Sequence, residues 1–139
     1  MMRQFVPGLL LAILLAACSS PPAPAKPSLV GRWEPVTATL GGKDYPVVNF
    51  DGAKLKLTDD AYDFAGDKGA YQLIPGGFPS KMDIHGVEGP NAGRTIPAIY
   101  QLDGDQLSIC YQLGKGDRPG GFKSPEGTKV LLIRYTRVP

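Results

Sequence analysis

Five polar side chains in the second half of the chain have residue types that could form a chemical site: Asp83, Asp103, Asp105, Cys110 and Arg118. Arg118 could pair with an acidic ligand, and Asp83 stands between two apolar residues, where it could face a cavity. A structural interpretation competes with this one. Asp103 and Asp105 flank a turn glycine, where carboxylates accept backbone hydrogen bonds. Arg118 could hold its glycine-rich loop in place by an ion pair with Asp83. We favour the structural interpretation.

Catalysis by Cys110 would need a neighbouring base and a lowered pKa. His85 is the one histidine in the sequence, and it lies at the exit of a different predicted strand. We therefore expect no enzymatic activity, and we expect Cys110 to be a buried, unreactive thiol.

Metal and nucleotide sites are not supported by the spacing of the polar residues. Zinc needs three or four close ligands, and Asp83 with His85 supplies two at best. The aspartates at 59, 60 and 63 do not follow the spacing of a calcium-binding loop. No glycine-rich loop leads into a helix, so we expect no nucleotide chemistry and no cofactor.

Size and composition restrict the classes of protein to which the chain can belong. The 139 residues suffice for one domain, and 18 glycines with 14 prolines indicate many turns rather than long helices. The formal net charge is +2 and the basic residues are scattered. Because a nucleic-acid-binding protein would concentrate them in a stripe, we expect no nucleic-acid partner.

The N-terminus has the layout of a secretory signal. Arg3 precedes an uncharged, leucine- and alanine-rich stretch at residues 5–17, which is shorter than the roughly 20 residues of a membrane-spanning helix. The sequence Leu15-Ala16-Ala17-Cys18 resembles the bacterial lipobox. That resemblance implies a signal peptide at residues 1–17, cleavage before Cys18 and lipid on the cysteine, which would leave no intramolecular disulfide. Ser19 after the cysteine is similar to lipoproteins sent to an outer membrane.

Residues 18–28 predict a tether between the lipid and a folded domain. The segment is rich in proline, which favours an extended polyproline-like chain. At about 3.1 Å per residue, it could hold the domain up to roughly 30 Å from a bilayer. We therefore expect a domain at residues 29–139 that is anchored at a membrane of the cell envelope without being embedded in it.

Alternating apolar and polar residues predict antiparallel strands throughout this domain. The alternation is clearest at residues 54–58, 62–64, 71–73, 96–102 and 106–113. Residues 129–135 are more continuously apolar, as in a strand that is covered on both sides. Turn signals separate the runs, and Asp103-Gly104 predicts a tight hairpin. The pattern suits an up-and-down barrel or a compact sandwich. Because a closed barrel removes exposed edges, we favour an all-β fold in which an antiparallel meander closes into a small barrel of about eight strands.

Two resemblances concern the barrel. Gly31-Arg32-Trp33 resembles the glycine-x-tryptophan start of lipocalins, which implies that Trp33 closes one barrel end beside Arg134 or Arg137. A longer resemblance covers residues 29–33, 41–43, 79–84, 99–110 and 118–119. These segments are similar, in this order, to a lipocalin-like domain family of unknown function that is abundant in planctomycetes and related bacteria. Ala98 departs from the glycine common there. The resemblance implies structural roles for Gly31, Trp33, Asp83, Asp103, Gly104, Asp105, Cys110 and Arg118, and it implies no activity.

Two functions remain open. In the first, the barrel binds a small apolar ligand among inward-facing side chains: Tyr62, Phe64, Tyr71, Tyr100, Ile109 and Tyr111. In the second, the chain is a structural or interaction protein of the envelope whose barrel is filled by its own side chains. An eight-stranded barrel is just wide enough for either.

Overall fold

The structure is a computed structural model that describes residues 28–139. The expected signal peptide, Cys18 and the tether up to residue 27 lie outside the described residues. The described part has no α-helix. Its elements are β1 (Gly31–Leu40), β2 (Lys43–Asp44), a short 3-10 helix (Val47–Phe50), β3 (Leu55–Leu57), β4 (Ala61–Phe64), β5 (Asp67–Ile74), β6 (Ser80–Glu88), β7 (Thr95–Asp103), β8 (Gln106–Gln112) and β9 (Val130–Arg137). No described helix is long and apolar enough to span a membrane.

The strands form one antiparallel sheet that closes on itself. From β3 to β9 each strand pairs with the next one along the chain, and β1 pairs with both β3 and β9. These eight strands make the barrel, while β2 is a short extension that pairs with the end of β1. The predicted all-β meander and its closure are therefore confirmed. Closure also leaves the barrel without a free sheet edge between its first and last strands.

The barrel interior is the main core. Period-two alternation brings large apolar side chains inward from each of the eight barrel strands, as predicted. They are buried at, among others, Leu55, Tyr62, Tyr71, Met82, Ile84, Ile96, Leu107, Ile109, Ile133 and Tyr135.

A second, smaller core lies on the outer surface of the barrel. Ile99, Cys110, Val130 and Leu132 pack there with Phe122, which comes from the long loop between β8 and β9. The loop explains the continuous apolar run of β9, whose two faces are both covered, as predicted. It also confirms the burial of Cys110.

The two barrel ends differ. The register places Trp33 opposite Leu55 and Arg137, so the beginning of β1 and the end of β9 share one end of the barrel. Ser28, the first described residue, lies at this end, which we call the closed end. The opposite, open end carries the 3-10 helix, the β4–β5 and β6–β7 turns and the β8–β9 loop.

Candidate functional site

The barrel interior contains a cavity of about 380 Å³. Its walls are mainly aliphatic and aromatic. The lining residues are Tyr45, Phe50, Leu55, Leu57, Tyr62, Phe64, Asp67, Tyr71, Met82, Ile84, Pro90, Asn91, Ile96, Ile109, Tyr111, Leu113, Leu131, Ile133 and Tyr135. Pro90 and Asn91 belong to the β6–β7 turn and Phe50 to the 3-10 helix, so the cavity extends to the open end.

Five of the six side chains predicted to contact a ligand line this cavity: Tyr62, Phe64, Tyr71, Ile109 and Tyr111. The sixth, Tyr100, does not. It lines a separate depression of about 760 Å³ at the closed end, together with Leu29, Leu73 and Leu102. Tyr71 borders both spaces and marks the boundary between them. The inward direction of Tyr100 was therefore right, but its position along the barrel excludes it from the cavity.

Trp33 packs in the barrel at the closed end. This side chain is fully buried, and its Nε1 donates to the carbonyl oxygen of Leu29 at 3.0 Å. The guanidinium of Arg137 lies 4.3 Å from the centre of the indole ring, within the range of a cation–π contact. Arg137 also donates to the carbonyl oxygens of Val30 and Ser28. Two arginines were expected as neighbours of Trp33. Arg137 lies beside it, whereas Arg134 donates to Ser108 outside the barrel.

A polar cluster lies where the cavity meets the open end. The Asp67 carboxylate accepts a hydrogen bond from the Tyr62 hydroxyl at 3.1 Å and another from Asn91 Nδ2 at 2.6 Å. Arg94 stands behind Asn91, with its Nη1 donating to Asn91 Oδ1 at 3.0 Å. The pKa of Tyr62 is raised to about 12. The main cause is burial, and the negative charge of Asp67 and its hydrogen bond with the Tyr62 hydroxyl add to it.

Deeper in the cavity, the hydroxyl oxygens of Tyr111 and Tyr135 are 2.8 Å apart and share a hydrogen bond. Burial raises the pKa of both phenols well above the ordinary tyrosine value. Burial also raises the pKa of Tyr71, whose hydroxyl donates to the carbonyl oxygen of Thr58. These phenols are therefore uncharged at neutral pH, and the cavity presents neutral hydroxyls within apolar walls.

The five polar residues considered first do not form one site. Arg118 and Asp83 form the expected ion pair, with Nη2 and Oδ1 2.5 Å apart, on the outer surface. Asp83 does not line the cavity, because Met82 and Ile84 on either side of it point inward. Asp103 and Asp105 lie at the β7–β8 hairpin, where Gly104 adopts a φ of 58°. Cys110 is buried beneath the β8–β9 loop.

Cys110 and His85 have separate partners. The Cys110 thiol contacts the carbonyl oxygen of Lys123 at 3.4 Å, and burial raises its pKa. His85 Nδ1 contacts Thr95 Oγ1 at 3.1 Å instead. Within residues 28–139, no group of three or more histidine, cysteine, aspartate or glutamate side chains is arranged to hold a metal ion.

The polar cluster was not predicted from the sequence. Asp67 directly follows Gly66 at a turn, and Asn91 lies in a loop without apolar alternation. The sequence did contain one signal for Asp67. Alternate residues of a strand share a face, so Asp67 is expected on the same inward face of β5 as Tyr71.

Comparison of the chain with models of known protein families, with curated proteins and with solved structures finds no match. The resemblance to the planctomycete lipocalin-like family therefore stays a prediction.

Proposed function

We propose that the barrel binds a small, mainly apolar ligand in its interior cavity. The observation that carries this proposal is the cavity itself, about 380 Å³ in volume with apolar walls and a polar cluster at one end. Ligand sites in proteins are commonly about 300–1,000 Å³, with apolar walls and a few placed polar groups. The ligand would therefore be at the small end of this range.

The alternative, a structural protein with a filled barrel, is less well supported by the same observation. Protein interiors are close-packed and contain few voids larger than a water molecule. A barrel that served only as a rigid support would gain contacts by enlarging the side chains at Leu55, Leu57 or Ile109. These positions carry residues that leave space at the cavity instead.

We further propose that lipid on Cys18 anchors the protein to a membrane of the cell envelope. Ser28 lies at the closed end and joins the proline-rich segment, so a tether would leave the barrel at the end opposite the cavity opening. An anchored barrel could then exchange ligand with the solution without the membrane covering its entrance.

The ligand proposal is tested by filling the cavity. Leu113 lines the cavity near the open end, whereas Leu102 lines the closed-end depression, and both are half-buried leucines. We expect the purified protein to enhance the fluorescence of the apolar probe N-phenylnaphthylamine. Leu113→Trp should weaken this binding about tenfold or more, because the indole occupies the ligand space and a lost 1.4 kcal/mol is tenfold. Leu102→Trp is the matched control and should bind like the original chain. Equal affinity of all three proteins, or no binding by any, would contradict the proposal.

The anchor proposal is tested at Cys18. Cys18→Ala should leave an uncleaved precursor that incorporates no labelled fatty acid when expressed in bacteria, because the acyl acceptor is gone. Cys110→Ala is the control and should be processed and labelled normally. Processing and membrane retention of the Cys18→Ala chain at the normal level would refute the lipobox interpretation.

A further inference from the structure

We propose that the ligand carries a protonated amine on its apolar body and that Asp67 binds this amine at the open end of the cavity. The inference rests on the ligand-binding function proposed above and names the chemical class of that ligand.

Asp67 is the only residue with a formal charge among the described residues that line the cavity. The three ion pairs within residues 28–139 join other side chains: Lys54 with Glu34, Arg118 with Asp83, and Arg137 with Asp105. A half-buried carboxylate beside apolar walls is costly unless it is paired and hydrogen-bonded. The described structure supplies hydrogen bonds to Asp67 but no cation in contact with it.

The hydrogen bonds leave capacity for a ligand. Each oxygen of Asp67 accepts one bond, from the Tyr62 hydroxyl or from the Asn91 amide, and both donors are neutral. An ionised carboxylate offers about four lone-pair sites, so roughly two remain. A ligand ammonium could occupy them without displacing either donor. Tyr62 and Asn91 instead hold the carboxylate in its orientation towards the cavity.

Arg94, which donates to Asn91, does not cancel this role. Arg94 does not line the cavity, and its guanidinium is engaged by two neutral acceptors, Asn91 Oδ1 and the carbonyl oxygen of Leu113. Lys68 follows Asp67 in β5 and is exposed, because successive residues of a strand point to opposite faces. The cavity side of Asp67 is therefore open to a ligand cation.

The negative charge of Asp67 acts electrostatically on groups inside the cavity. Besides burial, its negative charge contributes to the raised pKa values of both Tyr62 and Tyr111. The same field attracts an ammonium and repels a carboxylate in this poorly solvated space. It thus favours an amphiphilic amine over a fatty acid of the same length.

Three unbranched probes with ten carbon atoms each separate these possibilities: decylamine, decanol and decanoate. Their binding to the mature protein is measured by displacement of N-phenylnaphthylamine and by calorimetry at neutral pH, where an alkylammonium is charged, as is a lysine side chain. We expect decylamine to bind about tenfold more tightly than decanol, since a charge-assisted hydrogen bond is roughly twice as strong as a neutral one. Decanoate should bind most weakly.

Two matched variants identify the group responsible. Asp67→Asn should abolish the preference for the amine, so that decylamine and decanol bind with about equal affinity. Asp63→Asn removes the same charge from the same β4–β5 hairpin at a position that does not line the cavity, so it should retain the preference. If Asp67→Asn does not fold, the salt dependence of the original chain serves instead. Added salt should then weaken decylamine binding and leave decanol binding unchanged.

The outcomes separate the two proposals. Binding of none of the probes would refute the proposed ligand-binding function. Equal binding of decylamine and decanol by the original chain would overturn the assignment of an amine and leave ligand binding standing. Tightest binding of decanoate would also overturn it.

Discussion

The ion pair between Arg118 and Asp83 belongs to a larger contact that holds the β8–β9 loop against the barrel. Arg118 Nη1 donates to the carbonyl oxygens of Met82 and Ala98 at 2.8 and 3.0 Å, and Nη2 donates to Asp83. One arginine thus bridges β6 and β7 from outside. We predict that Arg118→Met, which keeps an unbranched apolar side chain but removes the guanidinium, releases this loop.

The expected magnitude follows from these contacts. A hydrogen bond to a charged group contributes about 1.5–3 kcal/mol. The three bonds share one side chain that is 25% exposed, and water can replace part of what is lost, so the sum is discounted. We expect loop opening to become easier by about 2–3 kcal/mol. Arg134→Met removes one exposed bond of 3.3 Å to Ser108 and should cost less than about 0.5 kcal/mol.

Cys110 reports on this opening. It is fully buried under the loop, and the raised pKa of its thiol adds to its protection. With Cys18 replaced by serine, Cys110 is the only thiol in the chain. Its labelling by a thiol reagent then requires the loop to open, and the rate follows the open fraction. Arg118→Met should accelerate labelling about 30- to 150-fold, and Arg134→Met should leave it nearly unchanged.

Asp83→Asn distinguishes the ion pair from the carbonyl contacts. It removes the negative charge but keeps both bonds from Arg118 to the backbone, so labelling should accelerate less than in Arg118→Met. Equal rates in Arg118→Met and Arg134→Met would refute the role of Arg118 in holding the loop. Equal acceleration by Asp83→Asn and Arg118→Met would instead assign the whole effect to the ion pair.

Two further predictions concern the barrel wall. Gly69→Ala should lower the free energy of unfolding by about 2–3 kcal/mol, because a Cβ there would lie 2.0 Å from the carbonyl oxygen of His85. Gly120→Ala is the control in urea denaturation, since a Cβ at that position meets open space. Equal urea midpoints for the two variants would contradict the packing argument. The second prediction is that stability falls as pH rises above about 10. The unfolded state releases the Tyr62 proton near the ordinary value of 10.0, while the folded state keeps it until about 12, so the unfolded state binds fewer protons across this range. The prediction is refuted if the urea midpoint stays constant from about pH 8 to about pH 11. It is also refuted if ultraviolet difference absorbance shows that all the tyrosines titrate near 10.

Local patterns in the sequence determined the fold to a large extent. Alternation at residues 54–58, 96–102 and 106–113 placed the strands and their inward faces, because the side-chain period of two is a property of extended backbone itself. Asp103-Gly104 located a hairpin through the positive φ that glycine adopts easily. The continuous apolar run of β9 likewise indicated cover on both faces, and the structure shows that cover.

Tertiary structure decided what lies at which depth in the barrel and which distant residues meet. Alternation assigns a face but no position along the barrel axis, so Tyr100 pointed inward as predicted and still fell outside the cavity. Asp67 and Asn91 are 24 residues apart, and Arg118 and Asp83 are 35 apart. Strand register and loop path bring each pair together, and neither is encoded in a local pattern. The cavity and its polar cluster therefore follow from closure of the sheet, because only closure sets the distances between side chains of different strands.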